Sequence, residues 1–421
     1  MEEIHQAIKL MEQERTEEAI DTLESFLPQA NEEEKFTIAE LYMQWGMLEE
    51  AKFILIELSQ QHPNEAELKI MLAEIYIDLE DDEAAMNILN RFSPNDEGYL
   101  EVLIQLADLY QAQGLYEVAE QKLLEAKNMD PMEYLIDFAL GELAFSNGEY
   151  QKSIPYYEKV LLDRPQIADV DVSIRLAEAY ASTGDFEQAL EFYQESGHDD
   201  ADILFRYGFI AFKGDRLDIS IKVWEQLIEN DPYYHSVYYF LAQAYDNEGM
   251  VNEAYETAKK GLNYDDFNKE LYYLTGVLAH RLGNQEESFQ LIKKAVSIDP
   301  GYLEAVLFLI ENYKQAQNDQ AIIELLTHLI ELGEEDGYYK WELAKAYKET
   351  ESFNDALNMY SDAYNNFKED SDFLKEYGHF LVEEGRIEEA IKILSQYLHL
   401  EPADNEIEEF ISRLKQNDDW M

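Results

Sequence analysis

The sequence predicts an all-α protein, a solenoid of tandem antiparallel helical hairpins, on three observations. A small residue in the middle of a motif typified by LAEAY, residues 176–180, returns as Ala39, Ala73, Ala107, Gly141, Ala177, Gly208, Ala242, Gly276, Ala344 and Gly378, with Ile310 where another is due. The steps are 34 residues, except 36 from Gly141 to Ala177 and 31 from Ala177 to Gly208. A second small residue follows twelve positions after most of them, as Ala19, Ala51, Ala85, Ala119, Ser153, Ala189, Ser220, Ala254, Ser288, Ala356 and Ala390. Between the two lies a glycine or polar turn, at Gly46, Gly114, Gly148, Gly184, Gly249, Gly283 and Gly385. With a partial unit centred on Ala7, about twelve units fill the chain.

Each part of the unit has a mechanical reason. Apolar residues three or four apart make the first helix amphipathic, and a tyrosine or alanine recurs three positions after its small residue, for instance Tyr42, Tyr110, Ala144 and Tyr347. The turn glycine supplies the left-handed conformation that ends a helix. The second small residue lies where the returning helix crosses the first, so that the backbones approach closely while bulky neighbours fill the flanks. Pro63, Pro131, Pro165, Pro232, Pro300 and Pro402 close their units, and they suit the first turn of the next helix, where a missing amide hydrogen costs least.

Along the chain, three places depart from the pattern. Pro155 falls early in a second helix. The 36-then-31 spacing brackets YQESGHDDAD, residues 193–202, where the second helix is expected to stop short at Gly197 and the array to bend. In the tenth unit Ile310 replaces the small residue and the turn AQNDQ reads as one residue short, so looser helix packing is expected there. The terminal NEIEEFISRLKQ reads as a single amphipathic helix capping the last hairpin's apolar face.

The small and aromatic residues at fixed places in a 34-residue unit resemble the tetratricopeptide repeat of bacterial type, over residues 1 to about 404. The resemblance implies a right-handed superhelix whose first helices line a concave wall that holds extended peptides or partner helices. The expected layout is an N-terminal array over 1–198, a C-terminal array over 199–404 and a capping helix with tail over 405–421. Family members that clamp a terminal carboxylate use Lys, Asn and Arg. Phe36, Glu40, Ile70 and Glu74 stand at such positions here, which argues against that mode.

Composition limits the partners. The net charge is -58, and 46 acidic against 12 basic residues in the first 200 show that the acidity is not confined to one end. Nucleic acid is bound through Lys and Arg counterion release, so this balance argues against it, and against anionic membrane surfaces. Aromatics at 13% argue for a packed core in spite of the charge. There is no cysteine, no cationic-then-apolar start and no apolar run of membrane-spanning length, so a cytoplasmic, soluble protein is expected. No phosphate loop, metal-binding helix or nucleophile elbow is present, the eight histidines show no i, i+4 pairing, and no cofactor or metal is implied.

The position one after each small residue faces the wall. In the N-terminal array it reads Glu40, Glu74, Asp108, Glu142 and Glu178, a ladder of carboxylates expected to attract a basic partner segment. In the C-terminal array the wall gathers Phe209, Phe212, Tyr239, Tyr273, His280, Arg281, Lys314, Trp341, Lys345 and Lys348, together with Phe205, which suits an apolar or acidic peptide. The function expected is therefore a non-catalytic interaction scaffold or adaptor of unknown oligomeric state. The alternatives are a peptide-sensing regulator resembling the repeat-containing response-regulator phosphatases, and a structural component that stacks end to end.

Overall fold

The computed structural model describes residues 1–418, with side chains through Lys415, so the last residues of the expected 405–421 segment lie outside the described residues. The chain divides into two compact units, residues 1–198 and 199–421.

The first unit pairs α1 (Glu2–Glu12) with α2 (Thr16–Phe26), α3 (Glu32–Gln44) with α4 (Leu48–Gln61), and α5 (Ala66–Asp78) with α6 (Asp82–Leu89). It continues with α7 (Tyr99–Ala112) and α8 (Tyr116–Met129), α9 (Tyr134–Ser146) and α10 (Tyr150–Asp163), a ribbon of β1 (Gln166–Ile167) and β2 (Val170–Asp171), then α11 (Val172–Thr183) and α12 (Phe186–Ser196). The second unit pairs α13 (Ala201–Lys213) with α14 (Leu217–Asn230), α15 (Ser236–Asn247) with α16 (Val251–Gly261), and α17 (Lys269–Arg281) with α18 (Gln285–Ile298). There follow α19 (Leu303–Gln315) and α20 (Asp319–Glu331), α21 (Gly337–Glu349) and α22 (Phe353–Phe367), α23 (Ser371–Glu383) and α24 (Ile387–Leu400), and the single α25 (Asn405–Asp418). Each unit thus holds six hairpins, and odd-numbered helices up to α23 are the first of their pair. Ile407, Ile411 and Leu414 of α25 bury their side chains against the last hairpin, as a cap should.

Every hairpin turns in the same way. The seventh residue after the small position has φ between 53° and 86° in all twelve: Glu14, Gly46, Glu80, Gly114, Gly148, Gly184, Asp215, Gly249, Gly283, Gln317, Glu351 and Gly385. The next amide donates to the carbonyl five residues back, for example Met47 to Tyr42 at 2.8 Å, Asp185 to Tyr180 at 3.0 Å and Asn318 to Tyr313 at 2.9 Å. This bond satisfies a carbonyl that the helix end leaves open. Five turns hold the left-handed geometry without glycine, and a side chain there costs about 1–2 kcal/mol.

The crossings are equally regular. Both small residues are fully buried wherever alanine or serine occupies them, as at Ala39 with Ala51 and Ala177 with Ala189. Where the first small residue is glycine, the residue sixteen after it packs down on it. A Cβ on Gly208 would lie 2.3 Å from Trp224 Nε1, one on Gly141 2.7 Å from Tyr157 Cε1, and one on Gly276 2.4 Å from Ile292 Cγ1. In the tenth hairpin Ile310 and Ile322 both stand in place of small residues, and α19 and α20 approach each other closely over a shorter stretch than any other pair.

Several expectations need correction. The tenth turn is not short, since Gln317 holds the left-handed position at the same offset as the others. The 36-residue spacing does not originate at 193–202; the two extra residues are taken up by the ribbon 166–171, where Gln166 pairs with Asp171, and only the deficit of 31 belongs to α12, which stops at the left-handed Gly197. The unit-closing prolines lie in the connecting turns, before rather than within the next helix. Pro155 is the sixth residue of α10, inside the helix, and its exposed position leaves the Gln151 carbonyl to solvent. α6, at eight residues, is shorter than every other hairpin helix although the spacing is unbroken. The irregular 90–98 segment that replaces the rest opens a cavity of about 780 Å³ lined by Lys69, Ile88, Arg91 and Phe92.

The crossings and turns respond to mutation with opposite signs. Gly208→Ala drives a methyl into the Trp224 ring and lowers stability by about 1–3 kcal/mol, whereas Gln317→Gly relieves the left-handed backbone and raises it by about 1 kcal/mol. Urea unfolding midpoints check both, and a neutral Gly208→Ala contradicts the crossing geometry.

Candidate functional site

The first helices present one face at matching positions in successive hairpins, and that face carries the predicted residues. A pairing rule governs it: the position one after a small residue meets the position two before the next small residue, 31 residues on in an unbroken register. Gln105 Nε2 donates to Glu74 Oε1 at 3.1 Å, and the Phe209 and Phe240 rings meet edge-on at 5.5 Å. Arg175 Nε stands 3.0 Å from Glu142 across the two-residue insertion.

In the first unit this rule divides the acidic ladder. Glu40 and Asp108 are exposed, with no ion pair or hydrogen bond among the described residues. Glu74 has only the neutral Gln105, and its carboxyl is pushed above the usual carboxylate range by burial first, then by the charges of Glu101 and Asp78. Asp108 is accessible to solvent yet also titrates high, because surrounding protein limits the hydration of its charge. Glu142 accepts from the Tyr157 hydroxyl at 2.7 Å and pairs with Arg175, which also bonds Glu178 at 3.1 Å. Burial opposes the Arg175 charge, but the two glutamates outweigh it and raise its pKa. The negative face is therefore uncompensated over α3, α5 and α7, whereas over α9 and α11 Arg175 holds both carboxylates and offsets one of their two charges.

The second unit differs in both chemistry and charge balance. Phe205 touches Phe209, Trp224, Tyr234 and Phe240, and Phe212 lies against Trp224; Trp224 is fully buried in the hairpin core and the others are half-buried against it. Tyr239 leans edge-on against Phe240 and accepts from Gln243 Nε2 at 2.8 Å. Tyr273 meets Tyr302 and Phe308, and His280 meets Phe308. Burial is the first cause that raises the hydroxyl pKa of both Tyr239 and Tyr273.

Each predicted cation on this face already has a carboxylate. Arg281 pairs with Asp246, Lys314 and Lys345 both pair with Glu342 at 2.6 and 2.5 Å, and Lys348 pairs with Glu383 at 2.8 Å. Glu342 is 1% exposed. Burial pushes its carboxyl up, but the hydrogen bonds from Lys314 and Lys345 win and hold it below the usual range. Lys345 also sits 4.6 Å over the Trp341 ring. The structure thus shows a half-buried aromatic face whose four predicted cations are all held by three carboxylates, so none of the four stands free.

Sequence reasoning missed Arg175, Gln105 and Glu342, the residues that decide which face carries charge. All three stand two before a small residue; the offset of 31 leads to Gln105 and, with the two-residue insertion, to Arg175, whereas Glu342 is held by Lys345 of its own helix and by Lys314. Among the described residues no three His, Asp or Glu side chains gather as a metal site, and no helix is long and apolar enough to cross a membrane.

The chain is 40% identical over 414 residues, 98% of its length and 98% of the relative's, to the TPR repeat-containing protein YpiA of Bacillus subtilis (strain 168). Residues 338–404 match the model described as YpiA-like, C-terminal tetratricopeptide repeats, and 111–163 the one described as YpiA-like, tetratricopeptide repeats. General tetratricopeptide-repeat models match 42–98, 144–207, 235–268 and 269–302. Among solved structures, the C-terminal part of a TPR repeat-containing protein from Cytophaga hutchinsonii aligns at TM-score 0.49 and 12% identity, covering 56% of this chain and 98% of that one. YrrB, described as a TPR protein with an unusual peptide-binding site, aligns at 0.38 and 18%, covering 44% and 95%.

Glu74 gives a pH signature. Its folded-state pKa lies above the unfolded value, so the folded state binds the proton more tightly and loses stability as pH rises through the carboxylate range. Glu74→Gln removes that loss: its thermal midpoint exceeds the parent's at pH 7, and the gain vanishes below about pH 4. An equal gain at both pH values contradicts the assignment. Glu342→Ala, which strips the shared carboxylate from two lysines, lowers stability by about 3 kcal/mol in urea unfolding.

Proposed function

The chain belongs to the tetratricopeptide-repeat family, among the YpiA-like proteins, and on that footing we propose that it is a non-catalytic scaffold holding partner proteins along the faces of its first helices. The observation that carries the finer reading is the division of the acidic ladder. Carboxylates facing a concavity raise the local cation concentration only where nothing in the protein neutralises them. That condition holds at Glu40, Glu74 and Asp108 and fails at Glu142 and Glu178. A basic segment of a partner protein is the matching ligand in the first unit, spread over α3, α5 and α7.

In the second unit the same logic removes an acidic peptide from consideration. Its cations are engaged, so an incoming carboxylate would have to displace Glu342, Asp246 or Glu383. The rings of Phe209, Tyr239, Tyr273 and Trp341 instead suit an uncharged apolar segment, which anchors aromatic surface without breaking an ion pair. Two faces of different chemistry on one chain would let it hold two partners, or two segments of one.

Binding of a lysine-rich peptide, followed by calorimetry at low salt, tests the first face. Reversing Glu40, Glu74 and Asp108 to Lys weakens it by about tenfold or more, and the loss shrinks as salt screens the charges. Glu142→Gln with Glu178→Gln weakens it by less than the first variant does, because Arg175 already holds both carboxylates. Unchanged affinity in the first variant overturns the reading.

A further inference from the structure

The acidic face of the first unit holds a buried oxygen that lacks a donor. Gln105 stands on α7, three residues before Asp108, and its Nε2 donates to Glu74 Oε1 of α5 at 3.1 Å. Its Oε1 is closed off from water and accepts no hydrogen bond among the described residues. Buried acceptors in folded proteins are nearly always filled, so an open one beside a carboxyl group calls for a donor. An ionised carboxylate has none to give.

The surroundings supply no cation either. The charged groups that act on Glu74 are Glu101, four residues before Gln105 on α7, and Asp78, four residues after Glu74 on α5; α3, α4 and α6 bring none. No charged group of a neighbouring helix acts on Asp108. Half-buried Glu74 therefore carries its charge between two other negative charges, and a proton relieves that. It also fills the open acceptor. A carboxylic acid has one O–H to donate and one carbonyl oxygen to accept with, and a primary amide has the complement. Protonated Glu74 keeps the bond from Gln105 Nε2 and turns its hydroxyl to Gln105 Oε1. Both carboxyls titrate above the usual range, in agreement with this: burial is the first cause at each, and the two neighbouring charges add to it at Glu74.

We propose that Glu74 and Gln105 form a proton-operated gate on the first face: in mildly acidic solution the free protein holds a proton between them, and a basic partner segment binds by expelling it. The incoming ammonium or guanidinium replaces the proton as the partner of the Glu74 carboxylate, and the proton passes to water. Asp108 titrates in the same direction and adds to the release. A bound cation lowers a carboxyl pKa that starts raised, so affinity climbs with pH through the upper carboxylate range and levels off above it. By reciprocity, acidification releases the partner. The gate rests on the reading of this face as a site for basic segments, and its test separates the two.

Calorimetric titration of the full chain with a lysine-rich peptide, in two buffers of different ionisation heat at about pH 5.5 and equal low salt, counts the protons released. The parent releases protons on binding, and its affinity at about pH 5.5 lies at least about threefold below that at about pH 8. Glu74→Gln, which removes the titrating group, and Gln105→Lys, which gives Glu74 a cation in place of the proton, each release less than about half as many, with circular dichroism confirming the fold of both. Peptide binding by the parent without proton release overturns the gate and leaves the reading of the face standing. Release that persists undiminished in the two variants overturns the gate as well. Absence of peptide binding at about pH 8 overturns both.

Discussion

The structure depends on one contact made in ten of the twelve hairpins: a residue with little or no side chain, buried where the two helices of a hairpin cross, with a larger residue sixteen positions on. Where that bulk is Trp224 or Tyr157, even a methyl group cannot be accommodated opposite. The contact sets the helix separation, and the left-handed turn residue with its 2.8–3.0 Å bond back to the first helix sets the phase of the return. Within each unit they make successive first helices present the same positions to the same side. The tenth hairpin shows what the contact does by lacking it. With isoleucine in both small positions its helices part, while the turn, governed by backbone alone, is unchanged.

Regular register turns sequence into electrostatics. With 90 acidic residues, most carboxylates say little about binding, and many have local duties. Asp81, Asp171, Asp185, Asp200, Asp336 and Asp370 accept from first-turn amides and offset the open donors there. Glu158 and Glu225 take the hydroxyls of Tyr180 and Tyr245 and fasten one hairpin to the next. Asp137 and Glu342 are each shared by two lysines. On the first-helix face of the first unit, Glu40, Glu74 and Asp108 are the ladder positions that no cation reaches among the described residues. Net charge supplies a long-range field, but the unpaired carboxylates decide where it acts.

The hairpins, their crossings, their turns and the capping helix were legible because each rests on a residue type recurring at a fixed step. The ribbon at 166–171 was hidden, since two inserted residues shift all later positions equally and do not mark where they entered. The short α6 was hidden for the opposite reason, an irregular segment of matching length having kept the step at 34. The five non-glycine turns were visible only as polar residues, and their common backbone shape emerges from position rather than identity. On the candidate faces, side-chain identity was plain and charge balance was not. Lys314 and Lys345 read as free cations because Glu342, which holds both, lies outside the single position being compared.

Hydrogen-exchange mass spectrometry of the full chain, with and without a saturating lysine-rich peptide, bears most directly on the claim that uncompensated carboxylates on the first helices form the working surface. The account predicts added protection over residues 32–44, 66–78 and 99–112, and none over 172–183, where Arg175 has already claimed the charge. Protection confined to second helices, or spread evenly over the acidic surface of the chain, would contradict it.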